Sequence, residues 1–185
     1  MTRELGVGVL VSGGGSNLQA LIDAEIAIAA VASNVDGVPA LDRARAAGIP
    51  KAAFPLVEYR DRSERDAAMA EWLVANGVQL VVCAGYMHLL RPVFLGRFPG
   101  RVVNVHPALL PAFPGATAVE DALSAGAVET GATVHLVDAG VDTGTVLRQE
   151  AVTVLPGDTA ATLHARIRTV EHRLLPEVVR ELIDA

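Results

Sequence analysis

LGVGVLVSGGGSNLQALIDA, residues 5–24, runs from an apolar segment through three glycines into helical spacing. The near-continuous apolarity of 5–11 is that of a strand covered on both faces, and 16–24 continues as a helix. Runs of the same kind recur at EIAIAAVAS (25–33), IPKAAF (49–54), VQLVVCAG (78–85) and RVVNVH (101–106), with helices expected over 39–47 and 63–75 between them. Short apolar strands alternating with helices predict an α/β fold built on a mostly parallel, doubly wound sheet flanked by helices. In SERDAAMAEWLVANG (63–77), Ser63 is the expected N-cap and Gly77 lies just past the helix end, while Met69, Trp72 and Leu73 form a core-facing stripe.

The second half is less regular. Pro107, Pro111 and Pro114 precede a short helix near 117–125. GATVHLVD (131–138) and TVLRQEAVTV (145–154) read as two strands paired through the VDAGVDTG turn, so an antiparallel strand is expected in the C-terminal half. A helical pattern runs from Asp158 to Ala185, and Pro176 predicts a kink or a break in it. No repeat, linker or composition shift divides residues 1–185, which predicts a single domain.

Hydrophobic residues at 51% and charged residues at 19% suit a folded globule, and the net charge of −6 argues against a general binder of nucleic-acid backbones. The single cysteine, Cys83, excludes an internal disulfide and points to a reducing compartment, and no CxxC or histidine cluster has metal-ligand spacing. The apolar run after Met1 is too short to span a bilayer and has no cleavage site behind it. A cytoplasmic protein complete at its N-terminus is expected, with no metal and no membrane or nucleic-acid partner.

Two segments carry candidate chemistry. SGGGSN at 12–17 joins a strand to a helix, where flexible backbone and unpaired helix N–H groups suit an anion, although a bare tight turn has the same composition. Leu18 stands where a dinucleotide fingerprint needs its third glycine, and no Gly-Lys pair is present, so neither NAD nor ATP is favoured. In VVNVHPALLP (102–111), Asn104 and His106 share one strand face, with Cβ atoms roughly 6–7 Å apart, at a strand exit where open α/β sheets bind ligands. Asn104 offers a neutral donor to a developing oxyanion, and a carboxylate beside the imidazole, with Asp142 as candidate, favours its charged form. Sequence alone does not bring Asp142 to His106, because an Asp-Thr-Gly turn is an ordinary surface loop. Cys83 sits in an apolar run and reads as inert, leaving no evident enzyme nucleophile and favouring direct transfer to a substrate amine. His135, on an apolar strand, reads as structural.

SGGGSNLQALIDA, AGYMHLL, VVNVHPALLPAFPG, VDAGVDTG and RIRTVEHRLLP, in that order, resemble the folate-dependent glycinamide ribonucleotide formyltransferases of purine biosynthesis across nearly the whole chain. The resemblance implies transfer of a formyl group from 10-formyltetrahydrofolate, as co-substrate, to the amine of the ribonucleotide. It makes Asn104, His106 and Asp142 the catalytic set: His106 as general acid and oxyanion partner, Asn104 as second donor, and Asp142 as the charge behind the histidine and a proton relay through water. Gly15, Ser16 and Asn17 match the phosphate loop, and Arg168, Thr169, Val170 and Glu171 match a segment holding the ribonucleotide. Arg62, Met87, His88, Leu89 and Leu90 match folate contacts, as do Asn104 and Asp138, Ala139, Gly140, Val141 and Asp142.

The N-terminal half is thereby expected to bind phosphate and ribonucleotide, and the C-terminal half to carry catalysis and folate binding. Small-molecule partners and a monomer or homodimer are implied. Three positions depart from the pattern: His88 where many relatives carry Arg or Lys, Thr117 where histidine is common, and Thr145 where proline is usual. Rival readings are a 10-formyltetrahydrofolate hydrolase, which adds a regulatory domain, the initiator-tRNA formyltransferase, which needs an RNA-binding domain, and a non-catalytic phosphate-ligand sensor on the same fold.

Overall fold

Alternation along the first strand decides which helices cover which face. The computed structural model describes residues 5–185; the first four residues of the expected 1–185 domain, and the reading of the chain start at Met1, lie outside the described residues. In β1 (Gly6–Val11), Val7, Val9 and Val11 point to one side and Leu10 to the other, all fully buried. The first side is covered by α1 (Ser16–Asp23), α2 (Pro39–Ala46), α5 (Ala118–Ser124) and the long α6 (Ala160–Asp184). The second is covered by α3 (Arg62–Ala75) and α4 (Pro92–Leu95), with Met69, Leu73, Phe94 and Phe98 packed on it.

The remaining strands are β2 (Ile28–Ser33), β3 (Lys51–Ala53), β4 (Val78–Cys83), β5 (Val102–His106), β6 (Glu129–Leu136) and β7 (Val146–Thr153). They form a seven-stranded sheet among the described residues, in the order β3-β2-β1-β4-β5-β6-β7. Strands β1 to β5 pair in parallel, whereas β6 pairs antiparallel with both β5 and β7. This is the mostly parallel, doubly wound sheet that the alternation predicts, with its antiparallel part in the C-terminal half. The chain leaves β1 toward β2 on one side and returns to β4 on the other, so the carboxyl ends of β1 and β4 open a crevice between them.

Three local expectations change. Asp61, not Ser63, is the N-cap of α3, its side chain accepting from Glu64 N at 2.9 Å; the carboxylate reaches the third-residue amide, while Ser63 already lies in the first turn. Pro176 does not divide α6, which continues through it. The lost backbone hydrogen bond, worth about 3 kcal/mol with its steric clash, is outweighed by burial of Leu174, Leu175, Val178 and Val179 against the sheet. Trp72 is half-buried at the core edge, in an edge-on contact with Phe54 at 5.8 Å. No helix among the described residues is long and apolar enough to cross a membrane.

Candidate active site

A cavity of about 980 Å³ occupies the carboxyl ends of the parallel strands. Its walls are the loop after β1, the loop after β4, the end of β5, the β6–β7 loop and one face of α6. Each end draws on both halves of the chain: α6 packs on α1 beside the glycine loop, and the loop after β4 borders the end of β5.

At the sheet end, Asn104 and His106 share the face that the two-residue period predicts. His106 is 4% exposed. Its Nε2 lies 2.7 Å from the Phe113 carbonyl oxygen, which only accepts, so this nitrogen donates. Its Nδ1 faces Asp142 Oδ2 at 3.4 Å. Both ring nitrogens thus look at oxygen acceptors, an arrangement that an imidazolium satisfies. The contact between Asp142 and His106 is therefore present, at a separation longer than a good hydrogen bond.

Two non-glycine residues hold this geometry from left-handed backbone: Phe113 at φ 52° and Asp142 at φ 53°, each at a cost of about 1–2 kcal/mol. The Asp142 carboxylate is fixed by Gly115 N, 2.8 Å from Oδ2. Asp138 braces the same loop, accepting from Gly140 N and the Thr143 hydroxyl. Gly144 closes it, because a Cβ there would lie 1.7 Å from the Leu136 carbonyl oxygen.

His135 lies at the same cluster. Register places it directly across from Asn104 on the neighbouring strand, so the two share a face. Its Nδ1 donates to the Leu136 carbonyl at 2.8 Å, while its Nε2 lies 3.2 Å from Asn104 Nδ2 and 3.6 Å from Asp142 Oδ1. Asp142 therefore sits between two imidazoles, one at each oxygen. The His135 contact above all, then the Gly115 amide and the two rings' charges, hold the Asp142 carboxyl below the usual carboxylate range against the opposing effect of burial.

At the other end, the glycine loop meets α1. Gly15 adopts φ 74°, and a Cβ on it would lie 2.7 Å from Ala40 Cβ and 2.8 Å from Ala40 Cα. The loop is clamped to α2 by Ala40 N donating to Gly13 O at 3.0 Å and Arg43 Nε to Gly14 O at 2.8 Å. The first turn of α1 leaves N–H groups without helical partners, which suits an anion. Replacing Gly15 with valine is expected to raise the concentration of phosphate-bearing substrate needed for half-saturation at least about tenfold, by strain and by displacing the loop. An equal rise for the second substrate, in paired titrations, would show general collapse of the site instead.

Glu171, a charge that reads as solvated without the family resemblance, is 4% exposed. Burial pushes its pKa up, partly offset by Asn17 and Arg168. Asn17 Nδ2 donates to Glu171 Oε2 at 3.2 Å, and Asn17 Oδ1 is buried with no partner among the described residues. Two acceptors with spare capacity thus face the cavity beside the anion loop.

Most other candidates also line the cavity: Ser16, Met87, His88, Leu89, Leu90, Asp138, Gly140, Val141 and Arg168. Four do not. Thr169 and Val170 turn away because residues 168 and 171, three apart, share the helix face toward the cavity. Ala139 points out of its loop, and Arg62, in the first turn of α3, stands outside the wall. His164 lines the cavity and was not singled out by the sequence, as an isolated helical histidine carries no pattern.

Cys83 ends β4 with its thiol buried, and burial pushes its pKa up to about 12, which rules out a thiolate nucleophile near neutral pH. Cys83→Ala is expected to keep turnover within about threefold and to lower unfolding stability by about 1 kcal/mol; loss of activity in a folded variant would reverse that reading.

A family model described as formyl transferase matches residues 6–179. Phosphoribosylglycinamide formyltransferase of Mycobacterium tuberculosis is 48% identical over 178 residues, covering 94% of this chain and 83% of that protein. The trifunctional purine biosynthetic protein adenosine-3 of Chironomus tentans is 42% identical over 182 residues; the match covers 94% of this chain but only 13% of that longer protein. The crystal structure of glycinamide ribonucleotide transformylase 1 from Symbiobacterium toebii superposes with a TM-score of 0.96 at 45% identity, covering 98% of this chain and 88% of that one.

Proposed function

The chain belongs to the formyl transferase family, and on that premise we propose that it transfers the formyl group of 10-formyltetrahydrofolate to the amine of glycinamide ribonucleotide, a step of purine biosynthesis. The observation that carries the proposal is one cavity with an anion loop at one end and the Asn104–His106–Asp142 cluster at the other. The folate supplies the formyl carbon and, after transfer, a nitrogen leaving group. Its fit is supported by a cavity of about 980 Å³ with Met87, Leu89, Leu90 and Val141 on its wall, apolar surface suited to a flat heterocycle.

The ribonucleotide phosphate sits on the α1 terminus and the glycine loop. Asn17 and Glu171 accept from its hydroxyl or amine hydrogens, which answers the buried acceptor left open there. Direct attack of the amine on the formyl carbon puts negative charge on the carbonyl oxygen. His106 and Asn104 stabilise that oxygen, His106 by turning one N–H from a protein acceptor to the substrate. Asp142 orients the ring, and a proton of the attacking amine passes through it or through water to the folate nitrogen as the bond between that nitrogen and the formyl carbon breaks. His135 holds the Asn104 amide in place.

Residues 1–185 act as one such domain in the cytoplasm, on small molecules alone, as monomer or homodimer. The lone buried thiol and the acidic net charge support that setting. The test is formyl transfer measured with and without glycinamide ribonucleotide. Formylated product formed only with the amine present is expected; amine-independent release of formate would replace transfer by hydrolysis, and binding without turnover would leave a sensor.

A further inference from the structure

His88, on the loop after β4, faces hydrogen-bond donors where His106 faces acceptors. Arg65 Nη1 lies 2.8 Å from His88 Nδ1, and a guanidinium can only donate. The same nitrogen is approached by Asn34 Nδ2 at 3.3 Å. The orientation of that amide follows from its neighbours. Met87 N donates to Ser12 Oγ at 2.9 Å, so the hydroxyl proton goes to Asn34 Oδ1 at 2.5 Å, which leaves the NH₂ group facing the ring. Nδ1 therefore carries a lone pair and no proton.

Arg65 cannot step aside. It is fully buried and held by Asp66, also fully buried, through Nε at 3.0 Å and Nη2 at 2.7 Å, while Asp66 Oδ2 accepts from Arg91 N at 2.8 Å. The charged groups facing His88 are Arg62, Arg65 and Asp66, all on α3. Burial, then Arg65 and Arg62, hold its pKa below the ordinary histidine value against the pull of Asp66. The Tyr86 ring packs edge-on against the imidazole at 6.2 Å. His88 lines the cavity, and its Nε2 has no hydrogen-bond partner among the described residues.

We propose that Arg65 fixes His88 as the neutral Nε2–H tautomer and so makes it a specificity-determining residue, an uncharged N–H donor for an oxygen acceptor of the folate co-substrate. The identity of the ligand rests on the function proposed above; the tautomer does not. A neutral donor suits the place beside a buried arginine, because a second cation at position 88 would be repelled by Arg65.

Side-chain ¹⁵N NMR near pH ~7.5 is expected to show His88 with Nε2 protonated and Nδ1 bare. In steady-state kinetics His88→Leu raises KM for 10-formyltetrahydrofolate by about three- to tenfold, the worth of one neutral hydrogen bond, with a smaller effect on kcat and none on KM for the ribonucleotide. His88→Gln, whose carbonyl accepts from Arg65 while its NH₂ donates outward, recovers most of that loss. His88→Arg does no better than His88→Leu. A protonated Nδ1, an unchanged folate KM in His88→Leu, or an arginine variant that binds folate at least as well as the parent would each overturn the proposal. Direct titration of 10-formyltetrahydrofolate against the same variants separates the two claims. A parent protein that binds folate in the expected order but transfers no formyl group removes the proposed function and leaves this inference standing.

Discussion

Replacing Asp142 with asparagine lowers turnover by about 10²–10⁴-fold, the range of a proton-handling group, while the fold and ribonucleotide binding persist. The substitution is clean for three reasons. Asparagine tolerates the left-handed φ of 53° at this position. Its carbonyl still accepts from Gly115 N, and its side chain keeps the size and shape of the carboxylate it replaces. What disappears is the negative charge between two imidazoles. Pre-steady-state measurement of formyl transfer checks the result, and near-normal transfer in the folded variant would remove Asp142 from the catalytic set.

The acid side follows from the depressed pKa of Asp142. A carboxylate stabilised in the folded state contributes its full stability above the unfolded value of about 3.9, and loses it as pH falls through the lower folded value. Asp142 thus stays ionised throughout the mildly acidic range. Activity lost there arises from other groups.

Replacing His106 with alanine is expected to lower turnover by about 10²–10⁴-fold as well, with ribonucleotide affinity within about twofold of the parent because the phosphate loop is a separate anchor. It should also destabilise the protein by about 1–3 kcal/mol, since the Phe113 carbonyl and the Asp142 carboxylate lose a buried partner. Calorimetric titration of ribonucleotide beside single-turnover kinetics distinguishes the two losses. A large fall in ribonucleotide affinity would mean that the two ends of the cavity are not independent.

Much of this architecture was legible in the chain because it depends on local periodicity. Near-continuous apolar runs separated by helical stripes specify a sheet covered on both faces, and a glycine run between strand and helix specifies a turn with free N–H groups. The same-face placement of Asn104 and His106 needs only the two-residue period of a strand. Ser63 misled because capping depends on which nearby oxygen reaches the third amide, and Asp61 does. Pro176 leaves α6 undivided because the energy that keeps the helix whole comes from the sheet beneath it, which a proline judged against its own helix does not reveal.

Composition, strand and helix periods and the order of its motifs determined the class of fold and the identity of the Asn104–His106 pair, because each is a property of neighbours along the chain. Only the tertiary structure decided that Asp142 meets His106, that His135 completes the cluster, that Glu171 is buried against Asn17, and that Arg65 dictates the tautomer of His88. Each of these joins residues from different elements. Their meeting is set by strand register, by the antiparallel return of β6 and by burial that removes water from between charges, none of which a local pattern encodes.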